Sequence, residues 1–311
     1  MKILVTGGGG LVGRSLLADS RAGGHEIVAP RRAELDLADA AACAVWLNRI
    51  RPDLVIHLAA TVGGIAANMA EPARFLTENL VMGLNLLTAA REAEVPRLIN
   101  MGSSCMYPRD RQVPLRESDL LTGPLEPTNE AYALAKLSVW KLTQSLGREM
   151  PAAAWRTLIP PNLFGPHDSF DPERSHLPAA VIRKVESARR DGAASVEIWG
   201  DGSVRREFLY APDLADFIWT FLDRLKDLPE TINVGSGVDV TVNDYYAAAA
   251  RALGYDGVFT HDLSRPVGMA RKLMDVSAQI ALGWAPPTAL EAAIAATAAW
   301  WRGSEAAQTA R

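Results

Sequence analysis

The sequence predicts an α/β fold: a doubly wound parallel sheet of the Rossmann type, followed by a smaller C-terminal α/β substrate domain. Short apolar runs at residues 3–5, 26–29, 54–58, 97–101 and 155–159 alternate with segments of helical length. A glycine-rich turn directly follows the first run. Buried strands joined by helices are typical of right-handed crossovers that cover both faces of a parallel sheet.

The second domain is predicted by a change of pattern after residue 160. Proline-rich segments between residues 160 and 172 interrupt the periodicity. Strands are predicted at 195–199 and 231–234, and an alanine-rich helix at 288–301. We therefore expect a cofactor-binding Rossmann domain at residues 1–165, completed by parts of 205–240, and a substrate-binding domain at 166–311.

Composition excludes several classes of function. The 311-residue chain has a net charge of -4 and a pI near 5.8, so nothing attracts it to nucleic acid. Since no apolar run reaches the roughly 18 residues of a membrane span, we expect no membrane association. Two cysteines cannot form a disulfide framework, and the opening apolar run is too short for a signal peptide, which indicates a cytoplasmic protein. No standard metal-site spacing occurs, and no metal is predicted.

The glycine-rich turn indicates a dinucleotide site. Gly7, Gly10 and Gly13 follow the first strand, and Leu11 and Val12 open the helix behind them. Glycines at this spacing tighten the turn, admit a pyrophosphate to the backbone and seat the helix against the sheet. A plain glycine turn is the alternative, which the flanking strand and helix make less favourable.

The second strand distinguishes NADPH from NADH. An acidic residue at its end is typical of enzymes that bind the ribose 2′-hydroxyl, whereas arginine suits a 2′-phosphate. Here the strand runs into Arg31 and Arg32, so NADPH/NADP+ is the predicted cofactor, with Arg32 the better candidate. Further cofactor contacts are predicted along the adenine and pyrophosphate, at Asp36, Leu37, Leu58, Ala59 and Ala60.

A second cluster suits carbonyl chemistry. Tyr132 and Lys136 are four residues apart on one helix face, so the ammonium is expected to stabilise the phenolate and make Tyr132 an acid or base nearer neutral pH. Ser103, at the end of a predicted strand, is placed to hold a carbonyl oxygen. Cys105 lies close by in sequence, and a thiol there either packs or exchanges a proton with carbon.

At this point the chain resembles the extended short-chain dehydrogenase/reductase superfamily over residues 1 to about 301. Within it, the chain is similar to the GDP-L-fucose synthase family, NADPH-dependent 3,5-epimerase/4-reductases of GDP-4-keto-6-deoxymannose. The segments that carry this resemblance are 62–65 (VGGI), 102–108 (GSSCMYP), 121–130 (LTGPLEPTNE), 162–168 (NLFGPHD), 175–176 (SH), 206–208 (REF) and 271–273 (RKL).

The resemblance implies roles for individual residues. Ser103, Tyr132 and Lys136 match the reductase triad, while Cys105 and His176 match the acid and base of the epimerisations. Tyr132, Lys136, Asn162 and His176 are also expected to touch the cofactor. The GDP-sugar is expected to contact Ser104, Asn162, Lys184, Trp199, Arg206 and Arg271, with Lys272 an alternative partner for the diphosphate.

Three departures accompany the resemblance, and several alternatives stay open. The loop from Gly7 to Gly10 has no arginine, Pro161 stands where a threonine is usual, and Val267 replaces a usual aspartate. The alternatives are an enzyme that acts on a related GDP-4-keto sugar of the colitose or 6-deoxyheptose type, a reductase without epimerase activity, and a nucleotide sensor without catalysis. Apolar helix faces at residues 82–90 and 134–146 indicate either core or a homodimer interface.

Overall fold

The computed structural model describes residues 1–111, 114–171, 175–264 and 270–309, and side chains up to residue 304. Val267 lies outside the described residues. The strands of the described part are β1 (Lys2–Thr6), β2 (Glu26–Val28), β3 (Leu54–His57), β4 (Arg97–Met101), β5 (Ala154–Ile159), β6 (Asn162–Phe164), β7 (Ser195–Trp199), β8 (Arg205–Tyr210), β9 (Thr231–Asn233), β10 (Asp239–Thr241), β11 (Val258–Asp262) and β12 (Arg271–Lys272). Its α-helices are α1 (Leu11–Ala18), α2 (Ala40–Ile50), α3 (Ile65–Ala70), α4 (Pro72–Glu92), α5 (Glu130–Glu149), α6 (Leu177–Asp191), α7 (Ala211–Phe221), α8 (Val242–Leu253), α9 (Ser277–Ala281) and α10 (Leu290–Thr309).

The predicted doubly wound fold is confirmed by a six-stranded sheet in the order β2-β1-β3-β4-β5-β9, with every pairing parallel. Successive side chains of a strand point to opposite faces. Leu4 accordingly packs with Leu47 of α2 and Leu86 of α4, while Ile3 packs on the other face with Phe217 of α7. Both faces are therefore buried, which explains the nearly continuous apolar runs in the sequence.

A second group of strands and helices builds its own core. β10, β8 and β12 form one sheet, β6 pairs with β8, and β7 pairs with β11. Helices α6, α8 and α10 pack together over residues such as Val185, Tyr245 and Ile294. The chain returns to the first core at residues 211–233, where α7 packs on α1 and β9 pairs with β5.

Buried polar side chains lock the loops where the two groups meet. Glu207 of β8 is buried and accepts the N–H groups of Met274 and Gly237 at 2.8 and 2.9 Å. Asn233 accepts the Tyr107 hydroxyl at 2.6 Å and donates to the Leu115 carbonyl at 2.9 Å. These bonds fix the segment after Cys105 and the segment after β12 relative to the central sheet.

None of the helices in the described part of the chain is both long enough and apolar enough to cross a membrane.

Candidate active site

The glycine turn leaves a backbone cradle at the N-terminus of α1. Gly7 has a φ of +73°, and a Cβ there would lie 2.6 Å from the Ala59 nitrogen. A Cβ on Gly13 would lie 2.4 Å from the Gly7 carbonyl oxygen. Gly10 caps α1 with no side-chain hydrogen bond, so the first N–H groups of the helix, at Leu11 and Val12, have no intrahelical acceptor. Such a cradle fits the pyrophosphate of a dinucleotide.

The third strand contributes the opposite wall of this cradle. The Leu58 N–H donates to the Thr6 carbonyl at 3.1 Å, and the Ala59 N–H lies 3.4 Å from the Thr6 hydroxyl. The segment leading to Ala60 is thereby fastened to β1. The close approach of Ala59 to Gly7 means that the predicted residues of both loops belong to one site.

Two arginine side chains lie at the outer rim of this site. Arg31 and Arg32 follow β2 with side chains 83% and 78% exposed. The nearest acidic oxygen to the Arg32 Nε, that of Asp36, is 3.9 Å away, which is a weak surface pair. Leu37 differs from the others, because its side chain is buried in the core and only its backbone remains for a ligand.

Arg14 is a cation of this loop that the motif analysis did not single out. Its Nε donates to the Gly9 carbonyl at 2.9 Å, so the guanidinium lies against the glycine turn. A Cβ at Gly9 itself would meet nothing within 4 Å. The signal in the sequence was the position of Arg14, one residue after Gly13, the last glycine of the motif.

The structure brings Ser103, Tyr132 and Lys136 together. Ser103 ends the loop after β4 and caps a 3-10 turn, where its Oγ accepts the Cys105 N–H at 3.2 Å. The Lys136 Nζ donates to the Met101 carbonyl at 2.9 Å and lies 5.9 Å from the centre of the Tyr132 ring. Their common position at the carboxyl end of β4 is where doubly wound sheets bind ligands.

The protonation states differ from the expectation for Tyr132. Burial raises the pKa of its phenol, a negative charge at Cys105 raises it further, and the hydrogen bond with Ser103 opposes both. Burial also lowers the pKa of Lys136 to about 8. The expectation that the pKa of Tyr132 moves toward neutral is therefore wrong, because burial is the largest influence on the phenol and raises its pKa. A phenol that keeps its proton at neutral pH suits an acid.

Cys105 is half-buried at the same place and has polar neighbours. Its Sγ accepts a hydrogen bond from the Asn129 Nδ2 at 3.1 Å, and the Lys272 Nζ lies 3.9 Å away. The other cysteine, Cys43, is fully buried in the α2 core, and burial raises the pKa of its thiol to about 11. Cys105 packs against an apolar cluster as well, but unlike Cys43 it is only half-buried and has an amide and an ammonium beside its sulfur.

His176 and Asn162 lie on other segments. His176 precedes α6 as its N-cap; its ring keeps contact with solvent, and the protein around it lowers the pKa by desolvation. The imidazole is consequently neutral at pH 7. Asn162 begins β6 two residues after Pro160, whose carbonyl accepts the N–H of the buried Ser104 at 3.1 Å.

The predicted substrate residues fall into two groups. Trp199 is 54% exposed at the end of β7, and the Lys184 Nζ lies 5.1 Å from the centre of its ring. Arg206 is half-buried, burial lowers the pKa of its guanidinium, and its Nη1 donates to the Arg205 carbonyl at 2.8 Å. Lys272 lies opposite Arg206 in the β8–β12 ladder.

Arg271 has a different environment. Its guanidinium is paired with the buried carboxylate of Asp239, which also receives Arg205 at 3.1 Å. Neighbouring strand residues point to opposite faces, so Lys272 points away from this pair and toward Cys105. Neither Lys272 nor Asn129 was predicted as a partner of Cys105, so the sequence reasoning missed these contacts as well as Arg14.

A dinucleotide cradle beside a serine, tyrosine and lysine cluster defines an NAD(P)-dependent enzyme of the short-chain dehydrogenase type. The chain belongs to the NAD dependent epimerase/dehydratase family, whose profile matches residues 3–235. It is 47% identical over 297 residues to a GDP-L-colitose synthase of Yersinia pseudotuberculosis, covering 96% of each chain. It is also 47% identical over 296 residues to a GDP-L-fucose synthase of Azorhizobium caulinodans, covering 95% of each.

A solved structure extends the comparison to the cofactor. The GDP-L-fucose synthetase of Naegleria fowleri bound to NADP has a TM-score of 0.87 with this chain at 27% identity, covering 98% of this chain and 95% of that one.

Proposed function

We propose that the protein is an NADPH-dependent epimerase/reductase that converts GDP-4-keto-6-deoxy-D-mannose to GDP-L-fucose. The observation that carries this proposal is Cys105, a thiol with two polar partners beside a reductase cluster of Ser103, Tyr132 and Lys136. A reductase needs no such thiol, whereas an epimerase needs a group that exchanges protons with carbon. The GDP-L-fucose synthase relative supports the choice of reaction.

The cofactor site fits NADPH. The cradle at Gly7, Gly10 and Gly13 would hold the pyrophosphate, and Arg32, with Arg31 beside it, would receive the 2′-phosphate. When bound, NADPH supplies the hydride for reduction at C4. Tyr132 gives its proton to the C4 oxygen as the oxygen gains charge, and Ser103 donates a second hydrogen bond to the same atom. Lys136 stabilises the phenolate that remains.

Epimerisation precedes this step and uses the same oxygen site. Removing a proton from C3 or C5 leaves an enolate, whose oxygen is stabilised by Ser103 and Tyr132. Inversion requires that one group takes the proton from one face and another returns a proton to the other face. Cys105 and His176 are proposed for these roles, because a neutral imidazole accepts a proton at pH 7 and a thiol donates one.

The nucleotide part of the substrate is assigned to the second group of strands. Trp199 and Lys184 would cover the base or the sugar, and Arg206 would meet the diphosphate with a guanidinium that is already partly desolvated. Ser104 and Asn162 would border the hexose. Arg271 stays a predicted contact, although its pair with Asp239 leaves Lys272 the better placed cation near the hexose.

A second candidate is a GDP-colitose type of epimerase/reductase, favoured by the GDP-L-colitose synthase relative. Its 3,6-dideoxy substrate would be inverted at C5 alone. The same cluster can perform both reactions, so the two candidate functions are distinguished by which substrate the protein converts.

The proposal is tested by supplying each GDP-4-keto sugar with NADPH in deuterated water. We expect GDP-4-keto-6-deoxy-D-mannose to be reduced with one deuterium at C3 and one at C5, measured by NMR of the product. Turnover of the dideoxy sugar with label at C5, and little turnover of the mannose derivative, would favour the second candidate. Reduction without label at either carbon would contradict the epimerase assignment.

The cofactor assignment makes a separate prediction for Arg32. Removing a guanidinium that meets a phosphate costs a charge-assisted bond, so Arg32→Ala should raise the KM for NADPH about tenfold. The KM for NADH, which has no 2′-phosphate, should stay within about twofold. Steady-state kinetics with both cofactors measure this, and Arg49→Ala, an exposed arginine on α2, is the matched control. Equal losses with both cofactors would contradict the assignment.

We also propose a homodimer in a reducing compartment such as the cytoplasm. Leu84 of α4 and Leu134 of α5, on two helices that pack together, are 45% and 42% exposed. Pairing these faces across a two-fold axis would bury them. Both cysteines are free, as a reducing compartment requires. Light scattering that gives a monomer mass would contradict the dimer.

A further inference from the structure

We infer that Asn129 and Lys272 are positioning residues that together hold the Cys105 sulfur for proton exchange; this rests on the epimerase function proposed above. Neither belongs to the reductase cluster. They reach the sulfur from different elements: Asn129 from the 3-10 turn Pro127–Asn129 before α5, and Lys272 from β12. The Nδ2 of Asn129 lies 3.1 Å from Sγ and the Nζ of Lys272 lies 3.9 Å from it.

The geometry of Asn129 favours an active sulfur over a merely packed one. Cys105 packs against an apolar cluster that includes Met106 and Leu125, as Cys43 packs in the α2 core. Cys105 differs in that an amide N–H is directed at its Sγ, where it can stabilise negative charge. The Oδ1 of the same amide is buried and has no hydrogen-bond partner within the described structure. A buried acceptor without a partner is costly unless a second state uses it.

The amide therefore serves a group that changes protonation state. Its Nδ2 donates to the sulfur when the sulfur is a thiolate, and after rotation of the amide its Oδ1 accepts the S–H when the sulfur is a thiol. A carboxylate could accept the S–H but could not donate to the thiolate, and an aliphatic side chain could do neither. Among the polar residues, an amide is thus well suited to support an acid/base thiol through a full cycle.

Lys272 contributes charge and a fixed position. Its strand is held in the β8–β12 ladder, and the N–H of nearby Met274 is bound by the buried Glu207. The ammonium lies 3.9 Å from Sγ, beside the negative charge that forms when the sulfur gives up its proton. Glu126, the N-cap of the turn that carries Asn129, accepts a hydrogen bond from the Thr128 hydroxyl at 3.2 Å. Each partner of the sulfur is therefore held by hydrogen bonds of its own segment.

The inference is tested first without any sugar. Iodoacetamide should alkylate Cys105 alone, because Cys43 is fully buried and burial raises its pKa to about 11. Followed by intact mass at fixed pH, the alkylation rate should fall roughly five- to tenfold in Asn129→Leu and in Lys272→Met, since the thiolate is the reactive form. Asn129→Asp, which places a carboxylate by the sulfur, should be slower still, and Lys272→Arg should stay near wild type.

Controls make the same chemical changes elsewhere. Asn48→Leu removes an exposed amide from α2, and Lys141→Met removes an exposed ammonium from α5. Both should alkylate at the wild-type rate. A rate within twofold of wild type in either Asn129→Leu or Lys272→Met would overturn the inference, and circular dichroism confirms that the compared variants are folded.

A second measurement uses the reaction. With the GDP-4-keto sugar in deuterated water, both variants should incorporate label at least tenfold more slowly. Asn129→Leu should also keep a kcat within about threefold of wild type for reduction of a substrate already inverted at C3 and C5. Lost reduction together with normal label incorporation would overturn the inference. If wild-type protein exchanges no proton with any GDP-keto sugar, the proposed function fails. The alkylation rates would still test whether Asn129 and Lys272 control the reactivity of Cys105, because they are measured without sugar.

Discussion

Tyr132→Phe should lower the rate of reduction of a pre-inverted GDP-4-keto sugar by about a thousandfold, within the range seen when a general acid is removed. The phenol is the group that keeps its proton at neutral pH, because burial raises its pKa. Phenylalanine preserves the ring beside Lys136 and removes only the proton donor. The ketone oxygen would then gain charge with only the Ser103 hydroxyl to stabilise it.

Stopped-flow measurement of NADPH absorbance at saturating cofactor checks this result. Label incorporation from deuterated water should fall much less, since Ser103 still supports the enolate while Cys105 and His176 are intact. Tyr255→Phe is a matched control, because it removes a hydroxyl that bonds the Ala193 carbonyl at 3.1 Å, in the second core. A Tyr132→Phe variant that keeps a tenth of wild-type reduction would exclude Tyr132 as the acid.

The central sheet could be predicted from local sequence alone because its inner strands are buried on both faces. A run such as Leu54–His57, with all four residues buried, is apolar whichever way each side chain points. The glycine turn was equally readable, since Gly7 and Gly13 are fixed by steric contacts with residues near in sequence or on the adjacent strand. Short-range rules therefore gave the fold class and the cofactor cradle.

The environment of the thiol could not be read in this way. Lys272 is 167 residues from Cys105 in sequence and reaches it only because β12 pairs with β8, whose register no local pattern specifies. The pair between Arg271 and Asp239 depends on the same sheet. Arg271 and Lys272 look equivalent in the sequence, but on β12 they face different partners, Asp239 and Cys105.

The expected direction of the pKa shift of Tyr132 was wrong for a related reason. In the sequence, Tyr132 and Lys136 are simply neighbours on a helix, and their charges alone would favour a phenolate. In the folded chain both groups are desolvated, which raises the pKa of the phenol and lowers that of the amine to about 8. Burial depends on packing between distant segments, so its electrostatic effect is not visible in a motif.

Cys105→Ser and His176→Gln are the substitutions with the second large expected effect, and they act on the other half of the reaction. Each should lower the rate at which deuterium-labelled, inverted product forms by about a hundredfold or more, because serine is a far weaker acid than a thiol and glutamine does not titrate. Reduction of the pre-inverted sugar should stay within about tenfold of wild type, since Ser103, Tyr132 and Lys136 are unchanged.

Mass spectrometry of the product resolves the label by position and thereby separates the two groups. Each group faces one side of the ring if the proposal holds, so one variant can still remove a proton that it cannot replace on the other face. Such a variant is expected to give products inverted at a single carbon, or to incorporate deuterium into substrate that it does not convert. Cys43→Ala, which alters the fully buried cysteine of α2, should match wild type in both assays. Formation of labelled, inverted product at the wild-type rate in either active-site variant would remove that residue from the epimerisation and leave the reductase cluster as the part of the site that stands.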